Sequence, residues 1–185
     1  GLKMVIPYDA YDAKGLLKTA IQDDNPVFFL ESERLLSTTA NVPEKEYTIP
    51  FGKALIRRKG NDCTIIGFGR PLHFCLEAAE ELAKEGIDCE IIDGRTIRPL
   101  DIDSIVYSVR KTNACVVVDQ SWSFASVGSE IASQIHTICF EDLDNYVHRV
   151  HSDDVPTPYA HNLEQAYLPN TRKICEAVRS ATYNA

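Results

Sequence analysis

Several features that mark other classes of protein are missing from this sequence. No apolar run approaches the roughly 18 residues of a membrane-spanning helix, so we expect no membrane partner. Acidic residues outnumber basic ones by 27 to 19, and the net charge of −8 argues against nucleic acid as the main partner. No repeat or low-complexity tract is present. The 185 residues, 44% of them hydrophobic, are predicted to form one globular domain, or one domain with part of another.

The cysteines lack the spacing of a metal or redox site. None belongs to a CxxC pair, and most stand among Val, Ile and Leu. This pattern favours reduced thiols in the core over disulfides or a zinc site. Reduced thiols indicate a reducing compartment. The six residues are Cys63, Cys75, Cys89, Cys115, Cys139 and Cys175.

Catalytic motifs are also scarce. No serine or cysteine stands in a nucleophile motif such as G-x-S-x-G. His148 and His151 lie three residues apart without further candidate ligands, and His73 and His161 stand alone. We expect all four to be surface or structural histidines.

Predicted strands and helices alternate along the chain. Strands are predicted over residues 3–6, 27–30, 53–58, 63–67, 88–92, 114–118 and 146–150. Helices are predicted over residues 72–85, 101–111, 127–139 and 171–182, and an earlier helix begins with an approximate capping box of Asp9 and Asp12. This alternation predicts an α/β fold, in which helices cover both faces of a mostly parallel sheet.

A polar segment interrupts the alternation and suggests how the chain divides. Residues 37–43 are rich in Ser, Thr and Asn, and three charged residues follow them. We therefore assign residues 1–36 to a βαβ unit, residues 37–52 to a linker and residues 53–185 to the main α/β domain. Since the chain opens directly in a strand, we expect further sequence upstream of Gly1.

Residues 86–101 are the most informative stretch. A strand runs into a polar turn that carries Arg95 and Arg98, followed by Pro99 and an acid that can cap the next helix. Open α/β sheets place ligands and partners at such strand ends. The two cations could bind a carboxylate, a phosphate or an acidic partner, or they could form a salt bridge within the chain. Candidate acids for that salt bridge are Asp93, Asp101 and Asp103.

A second strand end has the appearance of a dinucleotide site. Gly67 and Gly69 follow a strand, and Asp93 ends the next strand, where a ribose-binding acid would stand. The third glycine of G-x-G-x-x-G is replaced by Leu72, however, and Pro71 intrudes before the helix. We favour a tight turn without a nucleotide.

Two further segments are candidates for partner docking. Trp122, the only tryptophan, ends the most hydrophobic strand and could anchor an interface or fill the core. Asp153 and Asp154 precede a loop stiffened by Pro156 and Pro158. That loop could receive a basic partner, or it could be an ordinary acidic surface loop.

Oxygen ligands gather where the first helix ends. Asp23, Asp24 and Asn25 stand beside the free carbonyls of that helix, and such groups suit a hard cation such as K⁺. Most clusters of this kind are only polar helix stops.

Six blocks of the sequence together carry a family resemblance. They are Gly1-Leu2-Lys3-Met4-Val5-Ile6-Pro7-Tyr8, Asp12-Ala13-Lys14-Gly15-Leu16-Leu17, Asp24-Asn25-Pro26-Val27, Cys75-Leu76-Glu77-Ala78-Ala79, Arg95-Thr96-Ile97-Arg98-Pro99-Leu100-Asp101 and Asp154-Val155-Pro156-Thr157-Pro158-Tyr159-Ala160. In these blocks the chain resembles the β subunits of the thiamine-diphosphate-dependent 2-oxoacid dehydrogenases. The segments 97–101 and 155–160 favour the pyruvate dehydrogenases over the branched-chain enzymes.

The resemblance implies an enzyme that decarboxylates pyruvate on thiamine diphosphate with Mg and transfers the acetyl group to lipoyl groups. It implies an α2β2 heterotetramer, with the cofactor between the pyrimidine-binding domain of β and the α subunit. Residues 1–36 would be the tail of that pyrimidine-binding domain, and residues 53–185 a transketolase-like C-terminal domain. The family's catalytic glutamate and histidine lie upstream of Gly1, so no catalytic or cofactor-binding residue is assigned here.

The resemblance also implies partners, a compartment and a metal. The partners are the α subunit, a second β subunit and the subunit-binding domain of the dihydrolipoyl acyltransferase core. Our candidate docking residues for them are Arg95, Arg98, Trp122, Asp153 and Asp154. A structural K⁺ site of the family carries over onto Ala20, Ile21, Asp23 and Asn25. The compartment is the mitochondrial matrix, or alternatively a bacterial cytoplasm or plastid.

The chain departs from the family pattern in a few places. Asp119-Gln120-Ser121 replaces the usual Glu-(Glu/Gly)-Gly before Trp122, and Ser126 replaces a glycine. These departures bear on local interface geometry. The alternative from another class is a non-catalytic α/β module for assembly or binding.

Overall fold

The computed structural model describes residues 1–183, which form eight β-strands and six α-helices. The strands are β1 (Lys3–Val5), β2 (Val27–Phe29), β3 (Leu55–Arg58), β4 (Cys63–Gly67), β5 (Cys89–Asp93), β6 (Thr96–Arg98), β7 (Cys115–Trp122) and β8 (His148–Ser152). The helices are α1 (Ala10–Gln22), α2 (Pro71–Lys84), α3 (Ile102–Thr112), α4 (Val127–Cys139), α5 (His161–Tyr167) and α6 (Thr171–Ala181).

A five-stranded sheet in the order β3-β5-β4-β7-β8 forms the centre of the molecule. All its pairings are parallel except that of β3 with β5. One face packs against α2 and α6 through residues such as Leu72 and Ile174, and the other packs against α3 and α4 through Ile105 and Ile135. The predicted α/β class, a mostly parallel sheet with helices on both faces, is confirmed.

Polar side chains set the starts of four helices. Asp9, Asp101 and Asn170 each accept a hydrogen bond from the third backbone amide of α1, α3 and α6. Ser126 and Ser129 form a reciprocal capping box at the start of α4. Each cap satisfies an amide that has no partner within the helix.

A second, three-stranded sheet has the order β2-β1-β6. Strands β1 and β2 are parallel, as the βαβ prediction requires, and β6 pairs antiparallel with β1. The prediction of a polar turn between Asp93 and Pro99 was wrong for Thr96–Arg98, which is a strand. Its partner, β1, is about ninety residues away in sequence, so no local pattern could reveal the pairing.

The predicted linker, residues 37–52, contains no helix or strand but lies against α1. The Tyr47 ring stacks on Tyr11 with centroids 4.6 Å apart. Ile49 is buried, and its side chain lies against Gly15, where an added Cβ would be 2.6 Å away. Our division of the chain at this segment stays a prediction.

Two other elements differ from expectation. Strand β7 extends to Trp122 rather than ending at residue 118, and α5 had no predicted counterpart. Helix α5 has only seven residues, too few for a clear helical periodicity.

Within residues 1–183, no helix is both long and apolar enough to cross a membrane.

Gly60, in the turn between β3 and β4, packs directly against the backbone of β5, and this close packing can be tested. A Cβ built there would lie 2.2 Å from the backbone carbon of Cys89, and that backbone belongs to a central strand that cannot easily move. We expect Gly60→Ala to lower the free energy of unfolding by about 3 kcal/mol, measured by urea denaturation. The control is Gly86→Ala, which has no atom within 4 Å of the added carbon but a φ of +84°. It should cost about 1–2 kcal/mol, and an equal or larger loss in the control contradicts the prediction.

Candidate functional site

An ionic cluster lies where the first segment of the chain meets the main sheet. It consists of Asp9, Asp12, Arg57, Asp93 and Arg95. The two helical acids come from the start of α1, Arg57 from β3, and Asp93 from the carboxyl end of β5. Asp12 and Asp93 are fully buried. Buried carboxylates need charged partners, because losing water is costly.

Arg57 is the centre of this cluster. Its Nη1 donates to Asp9 Oδ2 at 2.7 Å, and its Nη2 donates to Asp93 Oδ2 at 2.8 Å and to Asp12. Nε of Arg57 also donates to Asp93, at 3.1 Å. The aromatic ring of Tyr8 lies 5.2 Å from the guanidinium. One side chain therefore joins α1 to β5 across the boundary between the two sheets.

Arg95 completes the cluster from the turn after β5. Its Nη2 lies 2.6 Å from Asp12 Oδ1, and its backbone amide donates to Asp93 Oδ1 at 3.0 Å. Its φ is +54°, and its side chain is only 9% exposed. An ion pair within the chain is thus what the geometry supports for Arg95. The partner of its side chain is Asp12, rather than Asp93, Asp101 or Asp103, because β6 brings this turn against α1.

The electrostatics of the cluster follow from burial. Burial raises the pKa of Asp12, against the opposing charges of Arg57 and Arg95. Burial likewise raises the pKa of Asp93 to about 6, because the attraction of Arg57 only partly offsets it. The arrangement supplies cohesion between two parts of the chain, and it has no nucleophile.

The glycine turn after β4 packs closely against neighbouring side chains. A Cβ on Gly69, which has a φ of +55°, would lie 2.6 Å from the Ile6 side chain. Gly67 lies against Leu72 and Cys75 of α2. The Ile6 side chain thus packs against the turn, and Gly69 supplies the positive φ that the turn requires.

The remaining docking candidates lie near the surface. Arg98 is exposed and lines a groove of about 830 Å³ together with Leu2, Pro99 and Val127. The Trp122 side chain is half-exposed, and its Nε1 donates to the hydroxyl of Tyr167 at 3.0 Å. Arg98 and Trp122 thus differ from Arg95 in being accessible.

The acidic loop lies beside Trp122. Trp122 pairs with Ser152 in the sheet, and Asp153 and Asp154 follow directly. Both acids are exposed, although Asp153 lies 3.5 Å from Lys173. The structure therefore brings the tryptophan and the two acids to one edge of the main sheet.

In the predicted K⁺ site, residues 20–25, the Asp23 carboxylate is already neutralised by a lysine of β1. The Asp23 carboxylate binds the Lys3 ammonium and accepts hydrogen bonds from Asn25 at 2.9 and 3.1 Å. The hydrogen bond from Lys3, followed by those from Asn25, lowers the pKa of Asp23 to about 2. The Ala20 carbonyl accepts from the Asp23 amide at 3.4 Å, and Ile21 is exposed. In the described part of the chain, no three His, Cys, Asp or Glu residues could hold a metal ion together.

The other titratable groups belong to the core. All six cysteines are free and buried, and burial raises the pKa of each thiol. His148 is buried under Tyr146, with ring centroids 4.1 Å apart, and burial lowers its pKa. These groups match the expectation of structural thiols and histidines.

Sequence reasoning missed the roles of Arg57 and Asp12. Asp12 was predicted only as part of a helix cap, yet it lies four residues before the buried Leu16 on the same face of α1. A carboxylate on the apolar face of a helix therefore indicates a buried ion pair, and this could have been predicted from the sequence. Arg57 carried no comparable signal, because an arginine in an edge strand is common.

Comparison with known proteins identifies the class. The family model described as "Transketolase, C-terminal domain" matches residues 52–174. The chain belongs to this family.

Two curated relatives show what the chain is similar to in sequence. "Pyruvate dehydrogenase E1 component subunit beta" of Rickettsia felis is 49% identical over 99% of this chain and 56% of its own length. The mitochondrial protein of that name from Dictyostelium discoideum is 47% identical over 98% of this chain and 52% of its length. The resemblance to pyruvate dehydrogenase β subunits is thereby confirmed. The chain spans about half the length of these relatives.

A solved structure shows the same fold. It is titled "Split gene transketolase, inactive beta4 tetramer" and superposes with a TM-score of 0.81 at 25% sequence identity. The match covers 98% of this chain and 57% of that one.

Arg57 is expected to be the most sensitive member of the ionic cluster. Replacing it in Arg57→Met leaves Asp12 and Asp93 buried without their shared cation, which should cost about 3–5 kcal/mol of unfolding free energy. Arg172→Met is the matched control, since Arg172 lies exposed on α6 and pairs with Glu176 at 2.6 Å. It should cost about 1 kcal/mol or less. Similar losses in the two variants contradict the central role of Arg57.

The raised pKa of Asp93 predicts a pH dependence of stability. A carboxyl that holds its proton up to about pH 6 when folded, but only to about pH 3.9 when unfolded, stabilises the fold most at low pH. Its contribution is lost as pH rises through 6. The stability of the native chain relative to Asp93→Asn should therefore fall between about pH 4 and pH 7 in urea denaturation. Asp154→Asn, at an exposed site, is the control, and a relative stability that rises with pH refutes the assignment.

Proposed function

We propose that this chain is part of the β subunit of a thiamine-diphosphate-dependent pyruvate dehydrogenase. In this role it takes part in the decarboxylation of pyruvate with acetyl transfer to lipoyl groups. The supporting observation is the identity of 49% and 47% to proteins named as that subunit, over nearly the whole chain. The contribution of residues 1–183 in this proposal is assembly and docking.

The cofactor is assigned to the assembled enzyme and not to this chain. The Ile6 side chain packs against the turn after β4, and no described cluster of His, Cys, Asp or Glu suits the Mg ion that accompanies a diphosphate. When bound, thiamine diphosphate supplies the carbanion that attacks the keto carbon. This chain's own residues hold the α1 segment against the main sheet through Arg57.

The proposed partners are an α subunit, a second β subunit and the subunit-binding domain of the acyltransferase core. Exposed apolar and charged side chains support docking at two places. One is the groove at Arg98, and the other is the edge formed by Trp122, Asp153 and Asp154. The compartment we propose is the mitochondrial matrix, or a bacterial cytoplasm or plastid, since relatives include mitochondrial and bacterial proteins.

One observation favours a second candidate, a non-catalytic assembly module. The solved structure with the same fold is titled an inactive tetramer of β chains. A β subunit of a branched-chain 2-oxoacid dehydrogenase is a third alternative, close to the first in chemistry.

Reconstitution separates these candidates. The native protein is co-expressed with the α subunit from the same organism, and pyruvate-dependent reduction of lipoamide is measured with thiamine diphosphate and Mg. We expect activity that requires both chains and prefers pyruvate to branched 2-oxoacids. A stable complex that neither binds thiamine diphosphate nor turns over contradicts the enzyme assignment and supports the assembly module.

The acidic edge should contribute to core docking. Asp153→Asn combined with Asp154→Asn removes two exposed charges, so binding to the isolated subunit-binding domain should weaken and become less dependent on salt. Surface plasmon resonance at two salt concentrations measures this. The control, Glu44→Gln with Asp103→Asn, removes two charges elsewhere and should leave affinity unchanged. Equal affinity for both double variants excludes this edge from the interface.

The potassium site is proposed on Ala20, Ile21, Asp23 and Asn25. If K⁺ binds there, potassium chloride should raise the melting temperature more than sodium chloride at equal ionic strength, because only the folded state holds the ion. Asn25→Ala should abolish the difference. Identical melting temperatures of the native protein in the two salts count against the site, and Lys3 then serves as the only counter-charge of Asp23.

A further inference from the structure

Two adjoining cavities open between the start of α1, the segment after β2 and the start of α2. The larger, of about 310 Å³, is lined by Arg34, Thr39, Arg70 and other residues. The smaller, of about 150 Å³, is lined by apolar residues that include Ala13 and Leu36, and by the acids Asp9 and Glu31. Tyr8, Asp9, Leu35 and Thr38 line both cavities, so the two lie directly beside each other.

Arg70 is a cation without an acidic partner in this region. Its guanidinium lies 5.5 Å from the ring of Phe74, and within residues 1–183 it makes no ion pair. Burial, and next the neighbouring charge of Arg34, lower the pKa of Arg70. Most other partly buried arginines of this chain are paired, as Arg57 is with three carboxylates. Arg70 is therefore free to bind an anion.

The acids near the larger cavity are already engaged. Asp9 Oδ2 accepts from Arg57 at 2.7 Å, and Asp9 Oδ1 accepts from the Asp12 amide at 2.8 Å. Glu164 accepts two hydrogen bonds from Arg34, at 2.7 and 2.8 Å. The Glu164 charge opposes the lowering of the Arg70 pKa, but among the described residues Arg70 has no directly paired acid beside this cavity of small-molecule size.

The position in the fold is also one where ligands gather. Strand β4 lies between β5 and β7 in the sheet. The chain passes from β4 to β5 on one side of β4 and then crosses to β7 on the other, so the strand order reverses at the carboxyl end of β4. Arg70 stands three residues after that end, at the start of α2. Crevices at such switch points are the usual ligand sites of open α/β sheets. The larger cavity adjoins the crevice between β4 and β7, because Arg70 lines both.

We propose that the two cavities bind a small organic anion, with a phosphate or carboxylate at Arg70 and a short apolar body against Ala13 and Leu36. A guanidinium suits either anion, because both present paired oxygens. A cavity of about 150 Å³ holds a ring of benzene size. The test of this proposal does not depend on the pyruvate dehydrogenase assignment.

The probes are phenyl phosphate, benzoate and inorganic phosphate, titrated calorimetrically into the assembled native protein. We expect phenyl phosphate or benzoate to bind more tightly than inorganic phosphate, and the preference between the two identifies the anion. Arg70→Gln should weaken that binding about tenfold or more. Arg172→Gln is the control, since Arg172 lies exposed on α6 and pairs with Glu176 at 2.6 Å. Its affinity should equal that of the native protein.

A second variant keeps the test decisive if Arg70→Gln does not fold. Thr39 is exposed at the rim of the larger cavity, so Thr39→Glu adds a repelling charge without disturbing the core. It should abolish binding of the tighter probe, whereas Thr137→Glu, on the exposed face of α4, should not. The proposal is overturned if the native protein binds neither phenyl phosphate nor benzoate at about 10 mM. It is also overturned if a folded Arg70→Gln or Thr39→Glu binds as tightly as its control.

Discussion

The junction between the α1 segment and the main sheet depends on the ion pairs that Arg57 forms with three carboxylates, those of Asp9, Asp12 and Asp93. Asp12 and Asp93 are fully buried and come from elements more than eighty residues apart. Each would be expensive to bury alone, since a carboxylate loses its water, and the guanidinium compensates both. The pairing of β6 with β1 then adds backbone hydrogen bonds to the same junction. Residues 1–36 are therefore held against the main domain by buried ion pairs and by the β1–β6 pairing, in addition to apolar packing.

This junction joins the domain that the family model matches to a segment that the model does not include. The family model begins at residue 52, so the α1 segment lies outside the matched domain, yet the curated relatives match it as well. A segment that is bound through buried charges takes a defined orientation on the main domain. The outer face of α1, which exposes Leu17 and Ile21, is therefore held in a fixed position relative to the main sheet.

The sequence was a good guide wherever the determinants are local. The periodic apolar residues of α2, α3, α4 and α6 and the hydrophobic strands β4, β5 and β7 were sufficient to predict the α/β class. Features that depend on distant partners could not be predicted, such as β6, whose pairing requires β1, and the extension of β7 to Trp122, which requires β8. The same reason explains the candidate site. Arg95 and Asp93 stood out as charged residues at a strand end, but their partners, Asp12 and Arg57, are near only in the folded chain.

Native mass spectrometry of the assembly purified from its source organism tests the central claim most directly. The account predicts a complex with two copies of the polypeptide that contains this sequence and two copies of a second, different polypeptide, the α subunit. A tetramer of one polypeptide alone, like the inactive β tetramer with the same fold, would contradict the account and leave an assembly module in its place.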